Sequence, residues 1–213
     1  MSETIFFDLD GTILDTEKHY RKCWVEAANA LGYPMTDEQA LSLRSLGRPF
    51  AIDRINGFFD DAEAYAKIRA KRMELMNKII EKNGIELKPY AVETLTELKK
   101  RGHCLAVVTA TDLERTQKYL GSLGLVDYFD QLVCATMVEK GKPAPDVYLY
   151  AAEQVGKKPS EVYAVEDSPN GIMSAYNAGC KTIMIPDQTQ PDAKLQKYIY
   201  KEFSSLKDLL TFF

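Results

Sequence analysis

Five short apolar runs, each followed by polar residues, decide what this chain can fold into. They are Thr4–Leu9, Cys104–Thr109, Gln131–Ala135, Val162–Glu166 and Lys181–Ile185. Runs of this length, β-rich and without strict alternation, read as strands buried on both faces, the pattern of parallel sheets. Helical segments with clear stops lie between them. Ala91–Arg101 ends at Gly102, a helix capped by Asp112 stops near Gly124, Asp146–Val155 ends at Gly156, and Pro169–Ala178 ends at Gly179. Strand and helix in alternation imply right-handed βαβ crossovers, hence an α/β fold with a Rossmann-like, doubly wound parallel sheet.

One stretch breaks the rhythm. Residues 16–87 contain no convincing strand, only helical segments at Thr16–Leu31, Thr36–Arg44 and Asp60–Asn83, with Thr36 and Gln39 spaced as a capping box. The expected organisation is therefore a core of residues 1–15 and 88–213 with a helical lobe of residues 16–87 inserted after the first strand. The lobe carries 12 basic against 11 acidic residues and the core 15 against 20, so the excess negative charge lies in the core.

Composition narrows the partners. A net charge of −4 over 213 residues argues against a nucleic-acid binder, and no apolar run approaches a membrane span. Glu3, Asp8 and Asp10 stand where a secretory signal needs basic and then apolar residues, so a cytoplasmic location is expected. Cys23, Cys104, Cys134 and Cys180 lie far apart, without zinc or redox spacing, and read as reduced thiols. Nothing in the sequence calls for more than a monomer.

The chemistry concentrates at the ends of the strands. In Phe7-Asp8-Leu9-Asp10-Gly11-Thr12, Asp8 and Asp10 are spaced two apart and point to the same side as they leave the first strand. That edge is where open α/β sheets bind ligands. Two carboxylates so close do not both ionise cheaply without a cation, and a hard, oxygen-seeking ion such as Mg²⁺ removes the cost. Glu166 and Asp167, at the end of the fourth run, are expected to bring the number of carboxylates at this edge to four. Thr109 ends the second run and is followed by Ala110, Thr111 and Asp112, so its hydroxyl and nearby backbone N–H groups can hold an anion. Lys142 lies in Gly141-Lys142-Pro143-Ala144-Pro145, a loop stiffened by two prolines. There its ammonium can neutralise Asp8 and contact an anionic substrate. Together these groups fit phosphoryl transfer through an aspartyl-phosphate.

At these residues the chain resembles the haloacid dehalogenase superfamily, most of all the branch containing β-phosphoglucomutase and small sugar-phosphate phosphatases. That family's four motifs occur in order as Asp8-x-Asp10-Gly-Thr, Thr109, Lys142 and Glu166-Asp167, with a helical cap domain between the first two. The resemblance covers nearly the whole chain. It implies that Asp8 is the nucleophile, that Asp10 is the general acid and base, and that Thr109 and Lys142 hold the phosphoryl oxygens. It further implies Mg²⁺ held by Asp8, the backbone carbonyl of Asp10, and Asp167, with Glu166 in support. Asp10 also argues against carbon–halogen cleavage, since true dehalogenases of the superfamily lack it. The implied substrate is a small phosphorylated metabolite.

The cap leaves hydrolase and mutase both open. Arg48 resembles the mutase's cap arginine for a distal phosphate. Against the mutase, Thr12 replaces a valine, Tyr20 falls where the cap histidine stands with His19 displaced by one, and Met73 lies near the place of the cap lysine, which Lys71 and Arg72 match only with a shift. These departures favour a phosphatase. His19, Arg48, Thr109, Ala110 and Lys142 are the expected substrate contacts. Trp24, Phe58, Phe59 and Tyr65 read as packing within the helical lobe, and His103 as structural.

Overall fold

A computed structural model describes residues 2–213. Six parallel strands form one sheet: β1 (Thr4–Phe7), β2 (Cys104–Thr109), β3 (Gln131–Cys134), β4 (Val162–Glu166), β5 (Lys181–Met184) and β6 (Lys201–Glu202), in the order β3-β2-β1-β4-β5-β6. The order reverses at β1, so the crevice between β1 and its neighbours is the switch point of a doubly wound sheet.

Period-two alternation puts neighbouring residues of each strand on opposite faces. Ile5, Phe7, Leu105 and Val107 pack with Leu95 and Leu98 of α5 (Ala91–Lys100) and with Tyr119 and Leu120 of α6 (Leu113–Ser122). Phe6, Ala106, Val108 and Ala164 pack on the other face with Val147, Tyr148 and Ala151 of α7 (Asp146–Gln154) and with Ala175 and Ala178 of α8 (Pro169–Ala178). Both faces are covered, which is why these strands read as continuous apolar runs. The short α9 (Leu209–Phe212) closes the first face through Leu209.

Four helices separate β1 from α5: α1 (Glu17–Ala30), α2 (Asp37–Ser42), α3 (Phe50–Phe59) and α4 (Ala64–Asn83). They have an apolar cluster of their own, including Trp24, Ala27, Met35, Leu43, Leu46, Ile55 and Ile68. The chain enters and leaves this region along two antiparallel segments, with Asp15 N bonded to Glu86 O at 2.8 Å and Lys88 N to Ile13 O at 2.9 Å.

Most expected boundaries lie within two residues of those observed. The Thr36–Gln39 capping box is present, and Asp112 accepts from Arg115 N at 3.0 Å. Three elements were not foreseen. Helix α3 escaped because Pro49 and Gly57 break its pattern; it ends at Asp60 in the left-handed conformation, φ 49°, so the following helix starts at Ala64 rather than Asp60. The two-residue β6 and four-residue α9 are too short to show periodicity. The first strand stops at Phe7 rather than Leu9, although Asp8 N still bonds Val165 O at 2.9 Å. The Gln131 run stops at Cys134.

Candidate active site

Register brings the acids together. Phe7 lies opposite Val165 across the β1–β4 pair, so Asp8 and Glu166 leave their strands side by side and Asp167 follows. Asp8 is 1% exposed, and Glu166 and Asp167 are fully buried. One oxygen from each of the three falls within 4.8 Å of the others. Asp10 lies at the same edge and lines the same cavity as Asp8, but its side chain stands outside this group of three. The Asp10 side chain is held elsewhere, accepting from Thr16 Oγ1 and Thr111 Oγ1, each at 2.6 Å.

Lys142 is fully buried and reaches Asp8 Oδ1 at 2.5 Å, Glu166 Oε1 at 2.6 Å and Val108 O at 2.9 Å. All three protons of the ammonium are thus engaged. Tyr148 donates to the same Glu166 oxygen at 2.6 Å. These contacts orient one oxygen of each carboxylate and leave the other free. Asp8 Oδ2, Glu166 Oε2 and both oxygens of Asp167 have no hydrogen-bond partner.

Burial pushes the Asp8 carboxyl well above the ordinary range, with Lys142 opposing and Glu166 and Asp167 adding to the rise. Burial likewise raises Asp167 to about 7, against the pull of Arg44. Glu17, in the first turn of α1, is raised by burial and then by Asp167 and Asp10. The site therefore holds more negative charge than its own cations balance. Unpartnered carboxylate oxygens converging on one point fit a hard divalent cation such as Mg²⁺.

Two glycines make room for these carboxylates. Gly171, in the first turn of α8, lies directly beneath the Glu166 carboxylate, and a Cβ there would overlap its three terminal atoms. Gly11, at φ +90°, faces Asp167 in the same way, its would-be Cβ only 2.7 Å from Asp167 Cγ.

Asp8, with Asp10 and Glu17, opens into a cavity of about 390 Å³ lined by both the sheet edge and the helical insertion, while Glu166, Asp167 and Lys142 lie behind its wall. That volume is in the range of small-metabolite sites. Asp8, Asp10, Thr109, Ala110 and Arg48 line it. Thr109 Oγ1 accepts from Thr111 N at 3.1 Å. His19 does not line it. Glu17, Tyr20, Arg21 and Trp24 form the cavity face of α1, and at about 100° per residue His19 turns away; its Nε2 lies 3.5 Å from Glu86. Trp24 and Tyr65 line the cavity as well as packing in the helical cluster, and Arg72 rather than Lys71 or Met73 lines it from α4.

Sequence reasoning missed Arg44, which follows α2. It is buried, donates to the Asp167 carbonyl at 3.1 Å, and lies 3.6 Å from Asp167 Oδ2. No local signal marked it, because a charge after an amphipathic helix normally faces water. His103 is structural, as expected, its Nδ1 accepting from Glu3 N at 3.0 Å.

The family model for haloacid dehalogenase-like hydrolases matches residues 5–185. The chain belongs to this family. It is 32% identical over 187 residues to the fructose-1-phosphate phosphatase YqaB of Escherichia coli, covering 84% of this chain and 94% of that protein. It is 28% identical over 186 residues to the phosphorylated carbohydrates phosphatase of Thermotoga maritima, covering 85% of this chain and 83% of that protein. The β-phosphoglucomutase of Clostridium difficile superposes with a TM-score of 0.82, over 98% of this chain and 93% of that one; at 22% identity this is a likeness of fold.

Proposed function

We propose that this protein is a Mg²⁺-dependent phosphatase that hydrolyses a small phosphorylated metabolite of the sugar-phosphate class through an aspartyl-phosphate on Asp8. The observation that carries the reading is Asp8 on the cavity wall, its Oδ1 gripped by Lys142 and its Oδ2 without a partner. A carboxylate with two oxygens in distinct surroundings can offer one as nucleophile and the other to a cation.

In this reading a carboxylate oxygen of Asp8 forms a bond to phosphorus as the ester P–O bond breaks, and the leaving oxygen takes a proton from Asp10. Asp10 then accepts a proton from water as that water attacks the aspartyl-phosphate, which frees Asp8 and releases phosphate. Two hydroxyls fix the Asp10 carboxylate for both transfers. Lys142, the Thr109 hydroxyl and the backbone at Ala110 would hold the phosphoryl oxygens. Asp8, the Asp10 carbonyl and Asp167, supported by Glu166, would hold Mg²⁺, which when bound neutralises charge on the transferring group. The phosphatase names of the relatives support hydrolysis of phosphate esters.

Phosphate release from a metabolite panel tests this: it should require Mg²⁺ and vanish in Asp8→Asn. Unchanged turnover in that variant rules the mechanism out. Arg48 on the cavity wall favours a second reading, an intramolecular phosphomutase. Isomerisation of a β-hexose 1-phosphate primed with bisphosphate, without free phosphate, would select it.

A further inference from the structure

Tyr148 is fully buried and does not line the cavity, so it meets neither substrate nor solvent. It stands in the first turn of α7, six residues after Lys142. Its ring stacks on Phe6, with centroids 6.4 Å apart at 26°, and turns a face toward Lys142 Nζ, 5.3 Å from the ring centroid. A phenylalanine would pack there equally well. The hydroxyl is what needs a reason, and among the described residues it makes one hydrogen bond, to Glu166 Oε1 at 2.6 Å.

That bond decides how many electron pairs Glu166 can offer a cation. A carboxylate oxygen has two lone-pair positions. Glu166 Oε1 accepts from Lys142 Nζ and from Tyr148 Oη, each at 2.6 Å, so both of its positions are filled. Asp8 Oδ1, by contrast, accepts from Lys142 alone among the described residues. Glu166 Oε2 is left buried and without a partner, and the Gly171 backbone directly beneath the carboxylate limits its rotation. Glu166 can therefore give an ion one oxygen but not two. Mg²⁺ takes few protein oxygens, in near-octahedral geometry, whereas Ca²⁺ takes about six to eight oxygens and accepts a carboxylate through both of its own.

We infer that Tyr148 is a positioning residue: with Lys142 it confines Glu166 to one free oxygen, and so selects a small, six-coordinate divalent cation such as Mg²⁺ over a larger one such as Ca²⁺. The inference rests on the Mg²⁺-dependent reading of the site, but metal binding without substrate tests it apart from turnover.

The test titrates Mg²⁺ and Ca²⁺ separately, by calorimetry, into substrate-free wild-type protein and Tyr148→Phe. The substitution keeps the ring and leaves no polar group unpaired, since Glu166 Oε1 retains Lys142. The ratio of the Ca²⁺ to the Mg²⁺ dissociation constant should fall by about tenfold in Tyr148→Phe, because Oε1 regains a lone pair and Glu166 can chelate the larger ion. A ratio that stays the same or rises, whatever the change in either constant alone, overturns the inference. Thermal melts in EDTA confirm that the variant is folded, and a lower melting temperature with an unchanged ratio would mark the hydroxyl as structural only. Wild-type protein that binds neither ion overturns the metal site and the inference together. Phosphate release from the metabolite panel reports on the phosphatase reading independently: its failure with the ratio shifted as expected leaves the role of Tyr148 standing.

Discussion

The ammonium of Lys142 lies 2.5 Å from Asp8 Oδ1 in a place that solvent does not reach. The pair joins the cluster of acids to a buried counter-charge, and Arg44 beside Asp167 is the other cation near it. Removing one partner of a buried pair leaves the other desolvated and unpaired, at a cost of about 3–5 kcal/mol. Lys142→Ala should therefore lower unfolding free energy by about that amount in urea titrations and reduce kcat for phosphate release by roughly a hundredfold or more. Lys142→Met, which restores the packing but not the charge, should recover part of the stability and none of the activity.

Gly171 has a role that only the folded structure explains, because the Glu166 carboxylate occupies the space a side chain would need. Gly171→Ala should displace Glu166 and raise the Mg²⁺ concentration for half-maximal activity by about 10–100-fold. Gly121, in α6, has nothing within 4 Å of a would-be Cβ, so Gly121→Ala should stabilise by about 0.5–1 kcal/mol and leave the metal requirement unchanged. Mg²⁺ titrations of phosphate release, beside thermal melts of the two variants, separate these outcomes.

Asp10 accepts from two hydroxyls, and an asparagine there keeps only one acceptor. Asp10→Asn should lower kcat by about 10²–10⁴-fold through loss of proton transfer, with a much smaller effect on inorganic phosphate binding. Equal damage to both would show that Asp10 binds rather than transfers protons.

The sheet was legible because burial on both faces writes itself into sequence as unbroken apolar runs. The acidic edge was legible because Asp8, Asp10, Glu166 and Asp167 follow such runs directly. Long-range arrangement was less so. Arg44 and Asp167 are 123 residues apart and meet only because the loop after α2 folds onto the start of α8, where Asn170 Nδ2 donates to Arg44 O at 2.8 Å. His19 was misplaced by one position of helix phase, a 100° error that sends a side chain from the cavity to Glu86. Arg69 and Arg115, which line the cavity, were not singled out because a solvated charge and a cavity-lining one look alike in sequence.

The thiols should be inert. Burial pushes Cys180 up to about 12 and Cys23 up to about 11. At pH 8 roughly one in a thousand Cys23 thiols and fewer Cys180 thiols are ionised, against about a quarter for an ordinary cysteine of pKa 8.5. With Cys134 also buried, native protein should react with a disulfide reagent first at the half-buried Cys104. Four fast-reacting equivalents before denaturation would contradict the packing around Cys23 and Cys180.

Gly47, in the loop before α3, and Gly141, beside Lys142, pass so closely that neither position tolerates a side chain. Gly47 N donates to Lys142 O and Gly141 N to Arg48 O, each at 2.8 Å, and a Cβ on Gly47 would stand 2.5 Å from Gly141 Cα. This reciprocal backbone clasp ties the helical insertion to the loop that delivers Lys142. Gly47→Ala must separate the two loops and break both bonds, worth about 0.5–1.5 kcal/mol each. Arg48 moves with its loop and Lys142 loses an anchor, so kcat/KM should fall by about tenfold or more while the melting temperature drops by only a few degrees. Hydrogen exchange should accelerate at residues 45–48 and 140–143 and nowhere in β1 or β4; protection unchanged at both loops would mean that the clasp does not hold the insertion in place.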